Sequence, residues 1–345
     1  MKKRDILKLI KYHCEDDEIQ FREVAQNIAK EFDDSGDERL AEVILSYISE
    51  INTFSIQSLE NEPVFYTLLS SSPVSPYLPP PIKMDMDGIL NAIDRNTDVS
   101  KFLLYGPPGT GKTEYVRYLA NCLNREIVFV EFDAIIQSRL GETTKNIKGL
   151  FDEIRAIRNP ANYIFMFDEI DALAFDRINS NDLREMGRAT SAFLKEMDRT
   201  NYEFLIFATT NLYEYFDNAL LRRFDACIDF GRYTQDDLRN ISEYFLDQFV
   251  TQYSFIGRDK KLFRKIVNLT NELPLPGELK NIIKKCIVFS NGTDNFDYLK
   301  RFYTELCNES IDVETLRNQG FTLREIERLT NISKSKLSRL GREKS

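Results

Sequence analysis

Apolar residues recur at helical spacing between Asp5 and Ile51, then the pattern changes several times before the chain ends. Phe21, Val24, Ala25, Ile28 and Phe32 form one stripe, and Leu40, Val43, Ile44, Tyr47, Ile48 and Ile51 form a second. With Ile6, Leu7 and Ile10 ahead of them, these stripes predict a bundle of about three helices, a size that needs a neighbour for stability. The bundle reads equally as a packing or oligomerisation unit and as a docking site for a partner or substrate. Periodicity stops at Ser70 to Lys83, SSSPVSPYLPPPIK, where Pro73, Pro76, Pro79, Pro80 and Pro81 predict an extended, semi-rigid linker.

Beyond the linker, short solid apolar runs alternate with helical stretches. FLLY ends at Tyr105 and precedes the helix-like TEYVRYLANCL; Ile127 to Phe132 precedes a helical segment from Thr143 to Ile157; YIFMF ends at Phe167 and FLIFA at Ala208. Such alternation predicts an α/β fold, a parallel sheet with helices on both faces, whose ligands sit at the carboxyl ends of the strands. From Thr234 to about Tyr303 the pattern is helical throughout, with Leu238, Ile241, Phe245 and Phe249 in one stripe and Leu279, Ile282, Ile283 and Cys286 in another.

Composition narrows the class. With 42% hydrophobic and 29% charged residues over 345 positions, the chain has the make-up of a soluble globular protein of two or three units. No run approaches the ~18 apolar residues of a membrane span, and MKKRDILKLIKYHCEDDE breaks into charge too soon for a secretory signal, so a cytoplasmic protein with no membrane partner is expected. Cys14, Cys122, Cys227, Cys286 and Cys307 are scattered with no C-x-x-C among them, which predicts buried thiols and not a zinc site. His13 is the only histidine, and that inventory excludes a Ser-His-Asp hydrolase and a His-rich metal centre. A net charge of −9 argues against a surface that binds nucleic acid everywhere, though not against one basic patch.

The chemistry gathers where the strands end. After FLLY comes Gly106, Pro107, Pro108, Gly109, Thr110, Gly111, Lys112 and Thr113, which fits G-x-x-x-x-G-K-[ST] between a strand and a helix. In that motif backbone N–H groups turn inward around nucleotide phosphates, Lys112 reaches the β/γ-phosphates and the Thr113 hydroxyl holds Mg²⁺. Asp168 and Glu169 follow the YIFMF strand directly, where a carboxylate is costly unless it has work or partners. Beside a phosphate loop, Asp168 suits the Mg²⁺ side and Glu169 suits polarising the attacking water of phosphoryl transfer. Asp171 reads as a supporting residue.

The set GPPGTGKT, FMFDEIDAL, ATTN and ALLRRFD, in that order, resembles the AAA family of ring-forming P-loop ATPases from Lys101 to about Phe230. The resemblance implies ATP and Mg²⁺ as ligands and a homo-oligomeric ring, a hexamer. It makes Asn211 the sensor that positions water against the γ-phosphate, and Arg222 and Arg223 the arginine fingers that enter a neighbour's site. Read without it, two adjacent arginines before Phe224 are more often solvated surface residues. The helices after Thr234 resemble the family's lid, with Gly277 and Glu278 at the position that meets ribose and adenine; the resemblance offers Lys280 as a second sensor near the phosphates, while the residue itself reads first as solvent-exposed. Arg139, Leu140 and Gly141 match the first pore loop, but an arginine stands where the family has an aromatic. A ring of such arginines grips an acidic peptide or a phosphate backbone, or is salt-bridged and grips nothing.

At the carboxyl end, TLREIERLTNISKSKLSRLG (322–341) reads as a helix-turn-helix: Ile326, Ile332, Leu337 and Leu340 pack the two helices, Asn331 takes a left-handed turn and Ser333 caps the second helix. Glu327 stands where such motifs prefer a small residue. Lys334, Lys336, Arg339 and Arg342 fall on the exposed side as candidate DNA contacts, and the stretch resembles the helix-turn-helix of recombinases and partition proteins; a bare helical hairpin is the other reading.

The expected organisation is therefore an N-terminal helical bundle (1–69), a Pro-rich linker (70–83), an AAA large α/β subdomain (84–232), a helical lid (233–305) and a helix-turn-helix-like tail (306–345). The expected function is ATP hydrolysis in a ring that remodels or translocates a macromolecule, a protein first of all; the alternative is an ATP-switched DNA-binding protein. The chain also resembles compact bacterial AAA ATPases encoded beside a subtilisin-like protease, which the resemblance offers as a partner.

Overall fold

The computed structural model describes residues 8–9, 11–12, 18–34, 63–95, 97–136, 142–173, 183–307 and 310–342. The chain divides into two units, Met1–Val64 and Phe65–Ser345. In the first, helix α1 (Glu18–Asp34) buries Ala25 and Ile28 of the first stripe and Ala29 beside them, while Phe21, Val24 and Phe32 are half-buried. The second stripe, His13 and Cys14 lie outside the described residues.

The second unit is built on a six-stranded sheet of β1 (Thr67–Leu69), β2 (Lys101–Tyr105), β3 (Glu126–Glu131), β4 (Tyr163–Asp168), β5 (Leu205–Thr210) and β6 (Ala226–Asp229), in the order β1-β3-β4-β5-β2-β6. Every pair is parallel except β1 with β3, which run antiparallel with Leu68 opposite Val128. Residues 67–69, placed by sequence in the helical bundle, are thus an edge strand. Three residues with two exposed side chains leave no alternation to read.

The central strands are apolar on both faces because both are covered. On one face Leu103, Val128, Phe165, Phe167 and Ile206 pack with α4 (Phe132–Ile136), α5 (Thr143–Ala156) and α6 (Leu183–Arg199). On the other, Phe102, Leu104, Ile164, Met166 and Phe207 pack with α2 (Pro80–Asp94) and α3 (Lys112–Cys122). The predicted linker is extended only to Pro79: Pro80 and Pro81 occupy the first turn of α2, where the missing N–H costs nothing. Its extended part is held down, with the Ser72 N–H donating to the Arg117 carbonyl at 3.0 Å and the Tyr244 hydroxyl to the Ser75 carbonyl at 2.5 Å.

After the short α7 (Asn218–Leu221) and β6 come α8 (Gln235–Gln252), α9 (Lys260–Val267), α10 (Pro276–Val288), α11 (Asp297–Cys307), α12 (Val313–Asn318), α13 (Leu323–Thr330) and α14 (Lys334–Arg342). They share one core, to which Leu238, Phe263 and Ile283 contribute together with Leu316, Ile326 and Leu337. None of the described helices is long and apolar enough to cross a membrane.

Candidate nucleotide site

β2 lies between β5 and β6, so the loop leaving it at Gly106 emerges beside the carboxyl ends of both neighbours. The loop runs tight against the chain after β6: a side chain at Gly106 would come within 2.8 Å of the Gly231 backbone nitrogen, at a φ of +135° that only glycine adopts easily. α3 starts at Lys112, so the loop ends on the first turn of a helix, whose N–H groups suit an anion. The Tyr233 hydroxyl, just ahead of α8, donates to the Thr110 carbonyl at 2.8 Å and pins the loop; burial raises its pKa.

Gly109, Lys112, Thr113, Asp168, Glu169 and Asn211 line one cleft of about 230 Å³. The Lys112 ammonium donates to the Gly106 carbonyl at 2.7 Å, the Pro107 carbonyl at 3.0 Å and Asn211 Oδ1 at 2.8 Å. Burial pulls its pKa below that of an ordinary lysine, and the carboxylates of Asp171, Asp168 and Glu169 pull the other way. The Thr113 hydroxyl donates to Asp168 Oδ1 at 3.3 Å, so the two groups expected to hold Mg²⁺ already adjoin. A glycine-rich loop opening a helix, a buried lysine, and a hydroxyl beside a carboxylate make up a donor set that fits a Mg²⁺ nucleotide.

Two hydroxyls at the end of β5 organise the acids, a role not assigned to them from the sequence. The Thr209 hydroxyl donates to Asp168 Oδ1 at 2.6 Å and accepts the Glu169 N–H at 2.9 Å. Glu169 itself takes a left-handed backbone, φ +53°, directly after the strand. The Thr210 hydroxyl donates to Asp171, and the Asp171 carboxylate also accepts the Asn211 N–H, at 3.0 and 3.2 Å. Asp171 therefore fixes the backbone from which Asn211 reaches Lys112. A signal existed in sequence: paired hydroxyls closing a solidly apolar strand, two and three positions after its buried phenylalanine, Phe207.

The arginines do not line this cleft. Arg223 grips Asp198 with two donors, at 3.1 and 3.0 Å, and donates a third hydrogen bond to the Ala219 carbonyl, and the Asp198 bond raises its pKa. Arg222 is exposed and has no acidic partner among the described residues. Gly277 opens α10 directly on the phosphate loop: its N–H donates to the Gly109 carbonyl at 2.8 Å. Lys280 is exposed, as expected, with its ammonium 5.8 Å from the Phe245 ring centre. Arg139, Leu140 and Gly141 lie outside the described residues.

Residues 102–232 match the model of the ATPase family associated with various cellular activities (AAA). The chain carries an AAA domain. Similar proteins include an uncharacterized AAA family ATPase, y4kL, of Sinorhizobium fredii, 38% identical over 133 residues, 39% of this chain and 39% of that one. Proteasome-activating nucleotidase 2 of Haloferax volcanii is 34% identical over 148 residues, 41% of this chain and 35% of that one. The peroxisomal ATPase pex6 of Schizosaccharomyces pombe is 36% identical over 140 residues, 38% of this chain and 14% of that one. The matches span less than two-fifths of each of these relatives, and α8 to α14 fall outside the AAA match.

Proposed function

We propose that the AAA domain binds and hydrolyses ATP with Mg²⁺, and that the full chain does so as a hexameric ring whose work remodels a protein substrate. The observation that carries the reading is the convergence of Lys112, Asp168, Glu169 and Asn211, from three parallel strands, on one cleft. In phosphoryl transfer, positioning and charge stabilisation do most of the catalysis. Lys112 leaves Asn211 for the β/γ-phosphates, which frees the Asn211 amide to orient water. Glu169, held by Thr209 through its N–H, polarises that water, and Thr113 and Asp168 hold the metal. When bound, Mg²⁺ neutralises charge on the phosphates. Two observations support a ring and a protein substrate: Arg222 is solvent-facing with no acidic partner among the described residues, as suits a group acting in a neighbour's site, and relatives are named for the proteasome and the peroxisome.

The test is Glu169→Gln in the full chain. ATP binding stays, turnover falls by about 10²-fold or more, and the ring accumulates in its assembled form with ATP. Wild-type turnover in this variant overturns the assignment. A turnover number independent of protein concentration, unchanged in Arg222→Ala, removes the ring from the reading.

A further inference from the structure

One surface of the second unit has no role in the nucleotide cleft. α14, KSKLSRLGR, contains four basic residues and no acid in a chain whose net charge is −9. Lys334, Lys336 and Arg339 are exposed, and among the described residues none has an acidic partner. The neighbouring charges are committed. Arg328 pairs with Asp259, Glu325 pairs with Lys265 at 2.9 Å, and Glu327 Oε1 accepts the Lys334 backbone N–H at 3.0 Å. Glu327, a mark against helix packing in the sequence, thus caps the first turn of α14, the task expected of Ser333. Its one negative charge lies at the start of α14, against the four basic residues that the helix carries.

The helices beneath this face form a built unit. α13 and α14 are joined by Asn331, Ile332 and Ser333, with Asn331 left-handed at φ +59° and its side chain accepting from the Lys300 ammonium at 2.9 Å. Leu316 of α12, Phe321, Ile326 and Leu329 of α13 and Leu337 of α14 are buried together. With Leu337 facing inward, helical geometry puts Ser335, Ser338 and Arg339 on the outward side, flanked by Lys334 and Lys336.

We propose that α14 is the recognition helix of a helix-turn-helix that enters the major groove of duplex DNA, with Arg324 of α13, also exposed, on a flanking phosphate. A helix ~10–12 Å across matches a groove ~12 Å wide. The outward side offers cations and short hydroxyls, the groups that bond phosphates and base edges. Its described residues lack the aromatic or aliphatic anchor on which a protein partner would close. The major groove of duplex RNA is too narrow for it. This inference stands whether or not the ATP reading holds.

The test is fluorescence anisotropy of a labelled mixed-sequence DNA duplex titrated with the full chain at about 50 and 200 mM salt. The comparison is the triple variant Lys334→Ala, Lys336→Ala, Arg339→Ala. The expected result is salt-sensitive binding that weakens at least tenfold in the triple variant, with a log–log salt slope smaller by about 2–3. Lys334→Arg with Lys336→Arg keeps the affinity within threefold. Equal chemical-denaturation midpoints in wild type and triple variant show that the fold is intact. No binding at the lower salt, equal binding by the triple variant, or equal affinity for duplex RNA or polyglutamate overturns the proposal.

Discussion

The Lys112 ammonium donates to Asn211 Oδ1 at 2.8 Å, which joins the phosphate loop after β2 to the end of β5, side chain to side chain. Lys112 keeps two carbonyl partners without Asn211, so Asn211→Ala leaves the loop in place. Nucleotide affinity stays within a few-fold while turnover falls at least tenfold, about 1.4 kcal/mol in the barrier. Equilibrium nucleotide binding and steady-state turnover, measured separately, check this; an equal loss of both would make Asn211 a binding residue.

Asp171 acts through Asn211 and touches no substrate. Asp171→Ala removes the acceptor of a buried threonine hydroxyl and a backbone N–H, and costs about 1–3 kcal/mol of stability with a fall in turnover. Asp171→Asn keeps one acceptor oxygen and recovers part of both. A purely structural aspartate would show lower denaturation midpoints in both variants with unchanged turnover of the folded fraction.

Two glycines give opposite outcomes. A side chain at Gly277 would come within 2.8 Å of the Gly109 Cα, so Gly277→Ala pushes α10 off the phosphate loop, destabilises by about 1–3 kcal/mol and weakens nucleotide binding. Gly88 lies exposed within α2 with nothing within 4 Å, and Gly88→Ala stabilises by about 0.5–1 kcal/mol. Chemical denaturation of both variants decides it.

The thiols differ by burial. Cys122 is exposed, whereas burial pushes the Cys286 thiol up to about 12, so at pH 8 almost no Cys286 thiolate exists. Among the described cysteines, iodoacetamide on the native chain labels Cys122 first, and Cys286 reacts only after unfolding. Mass mapping of the labelled peptides checks the order.

Much of the fold was legible because its signals are local. FLLY and YIFMF are solid apolar runs since sheet faces are covered on both sides, and the phosphate loop, Asp168 and Glu169 follow them without a gap. What escaped depends on partners far along the chain. Arg222 and Arg223 look alike as neighbours; Asp198, 25 positions earlier, is what holds one of them. Glu327 reads as a misfit in its own helix until it meets Lys334, seven positions on. Thr209 gains its role only when β5 lies beside β4, which brings its hydroxyl across 41 positions to Asp168.

The meeting of Gly109 and Gly277 has no side chain on either side to cushion it. The loop backbone therefore bears directly on the first turn of α10. α10 spans about 20 Å at 13 residues, a lever whose short arm rests on the phosphate loop. Because α8 to α14 share one core, the long arm includes the basic helix at the end of the chain.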